Sequence, residues 1–159
     1  MITGNKSKPS EKELNDILNY YNEHRYDDAE KLIKSILQNF PNHLFSLKIL
    51  AVIYSQTGKA IDAVKINQKI LTLSPNDPEV HNNLGINLKN LDKLDEARSS
   101  FEDAIKLNPK YANAYYNLST IFDKKDMHTE AINANQKAIQ FGLQTVEAYI
   151  KLGLKLYQC

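Results

Sequence analysis

Four histidines, His24, His43, His81 and His128, are the residues best suited to metal or acid–base chemistry. They follow one another at steps of 19, 38 and 47 (43−24, 81−43, 128−81), with no cysteine near any of them. Ligand pairs for a metal come a few residues apart on one element, so this spacing predicts no metal site. The acidic pairs Asp27-Asp28 and Asp95-Glu96 fall where helices are expected to begin. There, exposed N–H groups and the helix dipole explain a carboxylate better than general acid–base work does. Gly58-Lys59 reads as a turn between helices, because no phosphate loop, dinucleotide fingerprint or nucleophile elbow surrounds it. Asn117-Leu118-Ser119 matches a glycosylation sequon but lies inside a predicted helix. The expectation is a chain that is not an enzyme, with no catalytic residues, metal or cofactor.

The chain of 159 residues with 42% hydrophobic content can bury one continuous core. Its net charge of +1 gives no global pull toward phosphates or anionic lipid, so neither nucleic acid nor membrane is the expected partner. No run of 18 apolar residues occurs, and the opening MITGNKSKPSEKE lacks the apolar stretch of a secretory leader. The single cysteine, Cys159, permits no internal disulfide, which is compatible with a reducing, cytoplasmic setting.

What positions the side chains is a period. Ala29, Ala63, Ala97 and Ala131 recur at a constant step of 34 (63−29, 97−63, 131−97), and Pro41, Pro75 and Pro109 keep the same step. Leu50, Leu84, Leu118 and Leu152 keep it too. Each is followed by a small residue (Ala51, Gly85, Ser119, Gly153) and, three further on, by a large apolar one (Tyr54, Leu88, Phe122, Leu156).

Within one period two helices are expected. In the third unit, PEVHNNLGINLKNL places His81, Leu84 and Leu88 on one face, and LDEARSSFEDAIKL places Leu94, Ala97, Phe101 and Ala104 on another. Those faces must meet as an antiparallel hairpin, and the small residues Gly85 and Ala97 let the backbones approach. Asp28, Asp62, Glu96 and Glu130 recur at the starts of the second helices, favoured by the helix dipole, and the prolines stop those helices. Asn67 and Asn135 take the place in units two and four that Phe101 holds in unit three; a buried amide there needs partners, from backbone, from water or from a ligand.

The third unit, with His81, Leu84, Gly85, Leu88, Ala97, Phe101, Ala104 and Pro109, resembles the tetratricopeptide repeat. The resemblance implies an all-α fold, a right-handed α-α superhelix of stacked antiparallel helix pairs, with four units (10–43, 44–77, 78–111, 112–145). Residues 1–9 would form a disordered or extended N-terminus, and 146–159 a final helix that either caps the stack or begins a truncated fifth repeat. Unit one departs from the pattern at Asp16 and Ile17, as suits an edge repeat. Leu143 replaces the fourth proline, leaving Gly142 as the breaker.

The resemblance further implies that the first helix of each unit lines a concave groove that binds a protein or an extended peptide. Opposite the core stripe, those helices carry Phe45, Lys48, Val52 and Ser55, then Asn82, Asn83, Ile86 and Lys89, then Tyr116, Asn117, Thr120 and Asp123. Asn83 and Asn117 stand one full period apart (117−83), and each amide can both donate to and accept from a peptide main chain. The pair resembles two rungs of the asparagine ladder in repeat regions attached to protein O-glycosyltransferases, with Ile49 and Lys151 at the neighbouring rungs. Co-chaperone repeats clamp a C-terminal carboxylate instead; Lys48 and Asn83 match that set, but Val52, Asn113 and Asn117 do not, which disfavours chaperone-tail binding.

The final segment VEAYIKLGLKLYQC repeats the first-helix signature, and Ile150, Leu152, Leu154 and Leu156 make it apolar round much of its circumference. It is therefore expected either to cover the last hairpin or to offer a surface for homo-oligomerisation. The opening residues also resemble the start of bacterial repeat proteins that continue into sulfotransferase, methyltransferase or glycosyltransferase domains. The alternative function is thus a substrate-recruiting or assembly arm of a larger transferase. RNA binding would need a basic groove, which the balanced charge opposes.

Overall fold

A computed structural model of the chain describes residues 8–145, 148–150 and 153. Among the described residues are eight long helices and no strand: α1 (Glu11–Asn22), α2 (Tyr26–Asn39), α3 (Leu44–Gln56), α4 (Ala60–Leu73), α5 (Pro78–Asn90), α6 (Leu94–Leu107), α7 (Ala112–Lys124) and α8 (His128–Gln140). They fall into two compact units, divided between Leu73 and Ser74.

In the first unit α1 starts at a capping box. Glu13 N–H donates to Ser10 Oγ, and Ser10 N–H donates to the Glu13 carboxylate at 2.7 Å. Ile17 from α1, Ala29, Ile33 and Ile36 from α2, Leu50, Ile53 and Tyr54 from α3 and Ala63 from α4 form one buried cluster. Each contributes the residue that its helical periodicity turns inward.

The second unit repeats the plan. Asp77 caps α5 by accepting from the N–H groups of Glu79 and Val80, with Pro78 in the first turn where its missing N–H costs nothing. Phe101 of α6 is fully buried, and its ring lies against Gly85 so closely that an added Cβ would meet it at 2.5 Å. Where the second helix carries Asn67 or Asn135 in place of Phe101, the first helix carries Ala51 or Ser119 in place of Gly85. The facing residue thus gains one or two atoms where the ring is lost, which offsets part of the lost volume.

One device ends every first helix. His24, Gly58, Asp92 and Asp126, each one period after the last (58−24, 92−58, 126−92), all have positive φ, between 57° and 75°. The next residue then donates its N–H back to the large apolar column: Arg25 to Tyr20 and Lys59 to Tyr54 at 2.8 Å, Lys93 to Leu88 and Met127 to Phe122 at 2.9 Å. This is the Schellman closure, and it turns the chain into the second helix of each pair. The second helices bring Asp28, Asp62, Glu96 and Glu130 into their first turns, while Arg25, Lys93 and Met127 at their N-caps make no side-chain capping bond. Charge at the dipole thus takes the place of a side-chain cap there. After α8 the breaker is Gly142, with φ 99°.

Asn135 is 2% exposed and its Nδ2 donates to the carbonyl of Ala148 at 2.6 Å. Thr145 Oγ1 accepts from Ala148 N–H, so a capped helical turn at 148–150 is tied to α8. Asn67 is also buried, and its Nδ2 has no hydrogen-bond partner among the described residues. His81 differs from the expectation of a core residue: it is half-buried, with one ring nitrogen 2.9 Å from the carbonyl of Pro75. Its ring thereby ties the first turn of α5 to the preceding loop.

Candidate partner-binding surface

In the first unit, α3 presents Phe45, Lys48, Val52 and Ser55, all partly exposed. Phe45 stacks edgewise on His43 with ring centroids 6.3 Å apart, and Gln56 Nε2 donates to Tyr21 Oη of α1 at 3.0 Å. Leu14, Tyr21, Phe45 and Ile49 all pack against the first unit's core while staying partly exposed, so this face is largely apolar.

The second unit's counterpart, on α5 and α7, is built of amides. Asn82 is 4% exposed, and its Oδ1 accepts from Asn117 Nδ2 at 3.0 Å. Asn117 is thus joined to Asn82 and makes no bond to Asn83. Thr120 Oγ1 donates to the Asn117 carbonyl at 2.6 Å and lies 3.4 Å from Lys89 Nζ, which donates to it. Asn83, Ile86, Lys89, Tyr116, Asn117, Thr120 and Asp123 are all partly exposed. Sequence reasoning missed Asn87. It is 1% exposed, its Nδ2 donates to the Asn83 carbonyl at 2.8 Å, and its Oδ1 has no hydrogen-bond partner among the described residues. The signal was its spacing of four from Asn83, which places an amide beneath the exposed one.

Away from these faces, Asp27, Glu30, Lys31, Lys34 and Lys59 line a shallow cleft of about 310 Å³ in the first unit. Burial pushes the Glu30 carboxyl up, but hydrogen bonds from Lys34 at 2.6 Å and Lys59 at 2.7 Å overcome that and hold it at about 2. Tyr54 Oη also donates to Glu30, at 3.2 Å. In the second unit the residues two periods on (98−30, 122−54) are Arg98 and Phe122, and they meet as a cation over a ring at 5.3 Å. Beside them Tyr115, Leu118, Phe122, Ala134 and Lys137 border a smaller cleft of about 220 Å³.

Of the final segment's apolar residues, Ile150 is 52% exposed, and Leu152, Leu154 and Leu156 lie outside the described residues. No group of His, Cys, Asp and Glu among the described residues is placed to hold a metal ion. No described helix is long and apolar enough to cross a membrane.

Helical hairpins recurring at one fixed period, each closed by a left-handed turn, define a helical-repeat protein. Two family models described as tetratricopeptide repeat match residues 78–111 and 100–133. The chain belongs to the tetratricopeptide repeat family.

It is 32% identical over 120 residues to the human protein O-mannosyl-transferase TMTC1, covering 71% of this chain and 13% of that protein. It is 38% identical over 63 residues to the chloroplastic tetratricopeptide repeat domain-containing protein PYG7 of Arabidopsis thaliana, covering 40% of this chain and 21% of that one. The chain therefore spans no more than about a fifth of these relatives. Among solved structures, MamA protein superposes with a TM-score of 0.82 at 28% identity, over 91% of this chain and 79% of MamA. Pseudomonas aeruginosa pilF superposes at 0.81 with 18% identity, over 92% of this chain and 67% of that one, a likeness of fold alone.

Proposed function

We propose that the chain is a protein-interaction scaffold whose first helices bind a peptide segment or a protein partner. The observation that carries this reading is the α5–α7 face. Asn83, Ile86, Asn117 and Thr120 are partly exposed there, offer donors, acceptors and one apolar contact, and belong to no metal cluster or catalytic constellation among the described residues. A surface of that kind can hold main chain and side chain together without chemistry of its own. In this reading the chain is not an enzyme, needs no cofactor and works in the cytoplasm. Phe45, Lys48 and Val52 serve the same role on the first unit. The test is panning of a displayed random peptide library on the intact chain. A selected peptide should lose at least tenfold in affinity for Ile86→Asp; binding unaffected by substitution at Ile86, Asn117 and Val52 would end the proposal.

A second reading is favoured by the likeness to O-mannosyl-transferase TMTC1, of which this chain would match a short stretch. Here the repeats are the substrate-recruiting or assembly arm of a larger transferase. Reading the frame beyond Cys159 separates the two: a long α/β extension supports the arm, and a stop codon supports a stand-alone adaptor.

A further inference from the structure

We propose that the cleft between α2 and the α3–α4 turn of the first unit takes one carboxylate, supplied by an aspartate or glutamate side chain of a docking protein. None of the residues lining it belongs to a first helix. The inference is therefore independent of the peptide-binding reading and adds a second surface to the scaffold.

The cleft, about 310 Å³, is lined by Asp27, Glu30, Lys31, Lys34 and Lys59. Glu30 has a side chain only 13% exposed and carries one lysine on each oxygen: Lys34 Nζ donates to Oε1 at 2.6 Å and Lys59 Nζ to Oε2 at 2.7 Å. A lysine stem is long and mobile, and ordering it ordinarily offsets much of what a contact to its ammonium group supplies. Here the half-sunken carboxylate has already brought two of them together before any ligand arrives. Each ammonium has three N–H groups and gives one to Glu30, which leaves donors on both. A second carboxylate has two oxygens and can take one N–H from each lysine, so that positive and negative groups alternate around the cleft.

Counting charge decides the ligand. Three lysines face two acids, so the lining carries one uncompensated positive charge, and Lys31 makes no ion pair among the described residues. One carboxylate neutralises that excess. A phosphoryl group, with a charge of roughly −2 at pH 7, would overshoot it beside Glu30. Glu30 itself stays ionised, because its lysines hold it at about 2, and so it shares no proton with the incoming acid.

The repeat supplies an internal control. Two periods on (95−27), the same five positions are Asp95, Arg98, Ser99, Glu102 and Met127, one cation against two acids. There Arg98 pairs with Glu102 at 2.7 Å and lies over the Phe122 ring. The second unit thus closes its helix pairs without any lysine at these positions, and packing does not require the trio in the first.

The probe is a capped five-residue peptide with a single glutamate between alanines, titrated into the intact chain while the lysine side-chain signals are followed by NMR. Lys31, Lys34 and Lys59 should shift together and saturate, whereas Lys65, paired with Asp62 on α4, should not move. The same peptide with glutamine should bind about fivefold more weakly. Lys59→Gln should weaken the glutamate peptide about fivefold. Lys31→Gln removes charge but no bond among the described residues, and should weaken it about threefold. Circular dichroism checks that Lys59→Gln is folded; if it is not, Lys31→Gln carries the test. Acetate and inorganic phosphate are the competing probes. Phosphate that binds more tightly than the glutamate peptide overturns the charge assignment, and acetate that binds as tightly overturns the assignment to a protein side chain. Shifts that never saturate, or that spread evenly to Lys65, reveal attraction to the general surface and end the proposal, as does a glutamate peptide indifferent to Lys31→Gln.

Discussion

At Glu30, burial alone would raise the carboxyl, yet Lys34 and Lys59 both donate to it and hold it at about 2, against an ordinary value of 4.5. Because the folded value lies below that of the unfolded chain, the stabilisation is fully present above about 4.5 and is lost as pH falls toward 2. The two lysines are 58% and 43% exposed, so solvent screens part of the effect, and about 1–2 kcal/mol is expected. Glu30→Gln should therefore unfold at lower urea than the parent at pH 7, with the gap closing between pH 4.5 and 2.5. A gap independent of pH would mean that packing, not charge, is what Glu30 supplies. Gly85 poses a different residue-scale problem. Gly→Ala inside a helix ordinarily gains about 1 kcal/mol, but here the new Cβ would lie 2.5 to 2.9 Å from three atoms of the Phe101 ring, which is fully buried. The clash wins, and Gly85→Ala should destabilise by about 1–3 kcal/mol. Adding Phe101→Leu should recover part of that loss, a coupling that urea melts of the four-member cycle would measure.

The elements were largely legible because their signals repeat. A proline after three of the four second helices, an acid at each start and a recurring pattern of small and large residues at fixed spacing all express the same packing need, so agreement among the units fixes helix type. The left-handed column was not legible: of His24, Gly58, Asp92 and Asp126, glycine alone announces a positive φ, and the others adopt it because the Schellman bonds close around them. This places strain at defined points. Asp92→Gly or Asp126→Gly should raise stability by about 0.5–1 kcal/mol, and Gly58→Ala should lower it by about 1 kcal/mol although no atom lies within 4 Å of the new Cβ. Thermal melts of the three variants provide the check. Phe101→Leu should leave the loss at Gly58→Ala unchanged while it recovers part of that at Gly85→Ala, and equal recovery at both would contradict the distinction between backbone strain and crowding. The tie from Asn135 to Ala148 was invisible for another reason, since its acceptor is a distant backbone carbonyl that no side-chain pattern marks. On the candidate surface, likewise, spacing named Asn83 and Asn117 as a pair, but the bond from Asn117 to the buried Asn82 depends on how α5 and α7 pack, which no spacing marks.

Across the molecule the consequence of a repeat architecture is that stability is assembled locally. Each hairpin closes its own left-handed turn, and the buried cluster of α1 to α4 is distinct from the Gly85–Phe101 contact of α5 and α6. In such chains local opening is governed by the hairpin's own interactions and those of its neighbours, so a single substitution lowers protection unevenly. A protein with one undivided core would instead lose protection everywhere by the same free energy. Hydrogen exchange on two variants of the intact chain separates these cases. Glu30→Gln at pH 7 should speed exchange chiefly in α2 and α3, where Lys34, Tyr54 and the α3–α4 turn lose their common partner. Gly85→Ala should speed it chiefly in α5 and α6 and leave α1 and α2 near the parent's rates. If both variants instead accelerate all eight helices equally, the units unfold as one cooperative body. Partner binding at the α5–α7 face would then protect α1 and α2 as strongly as α5 and α7.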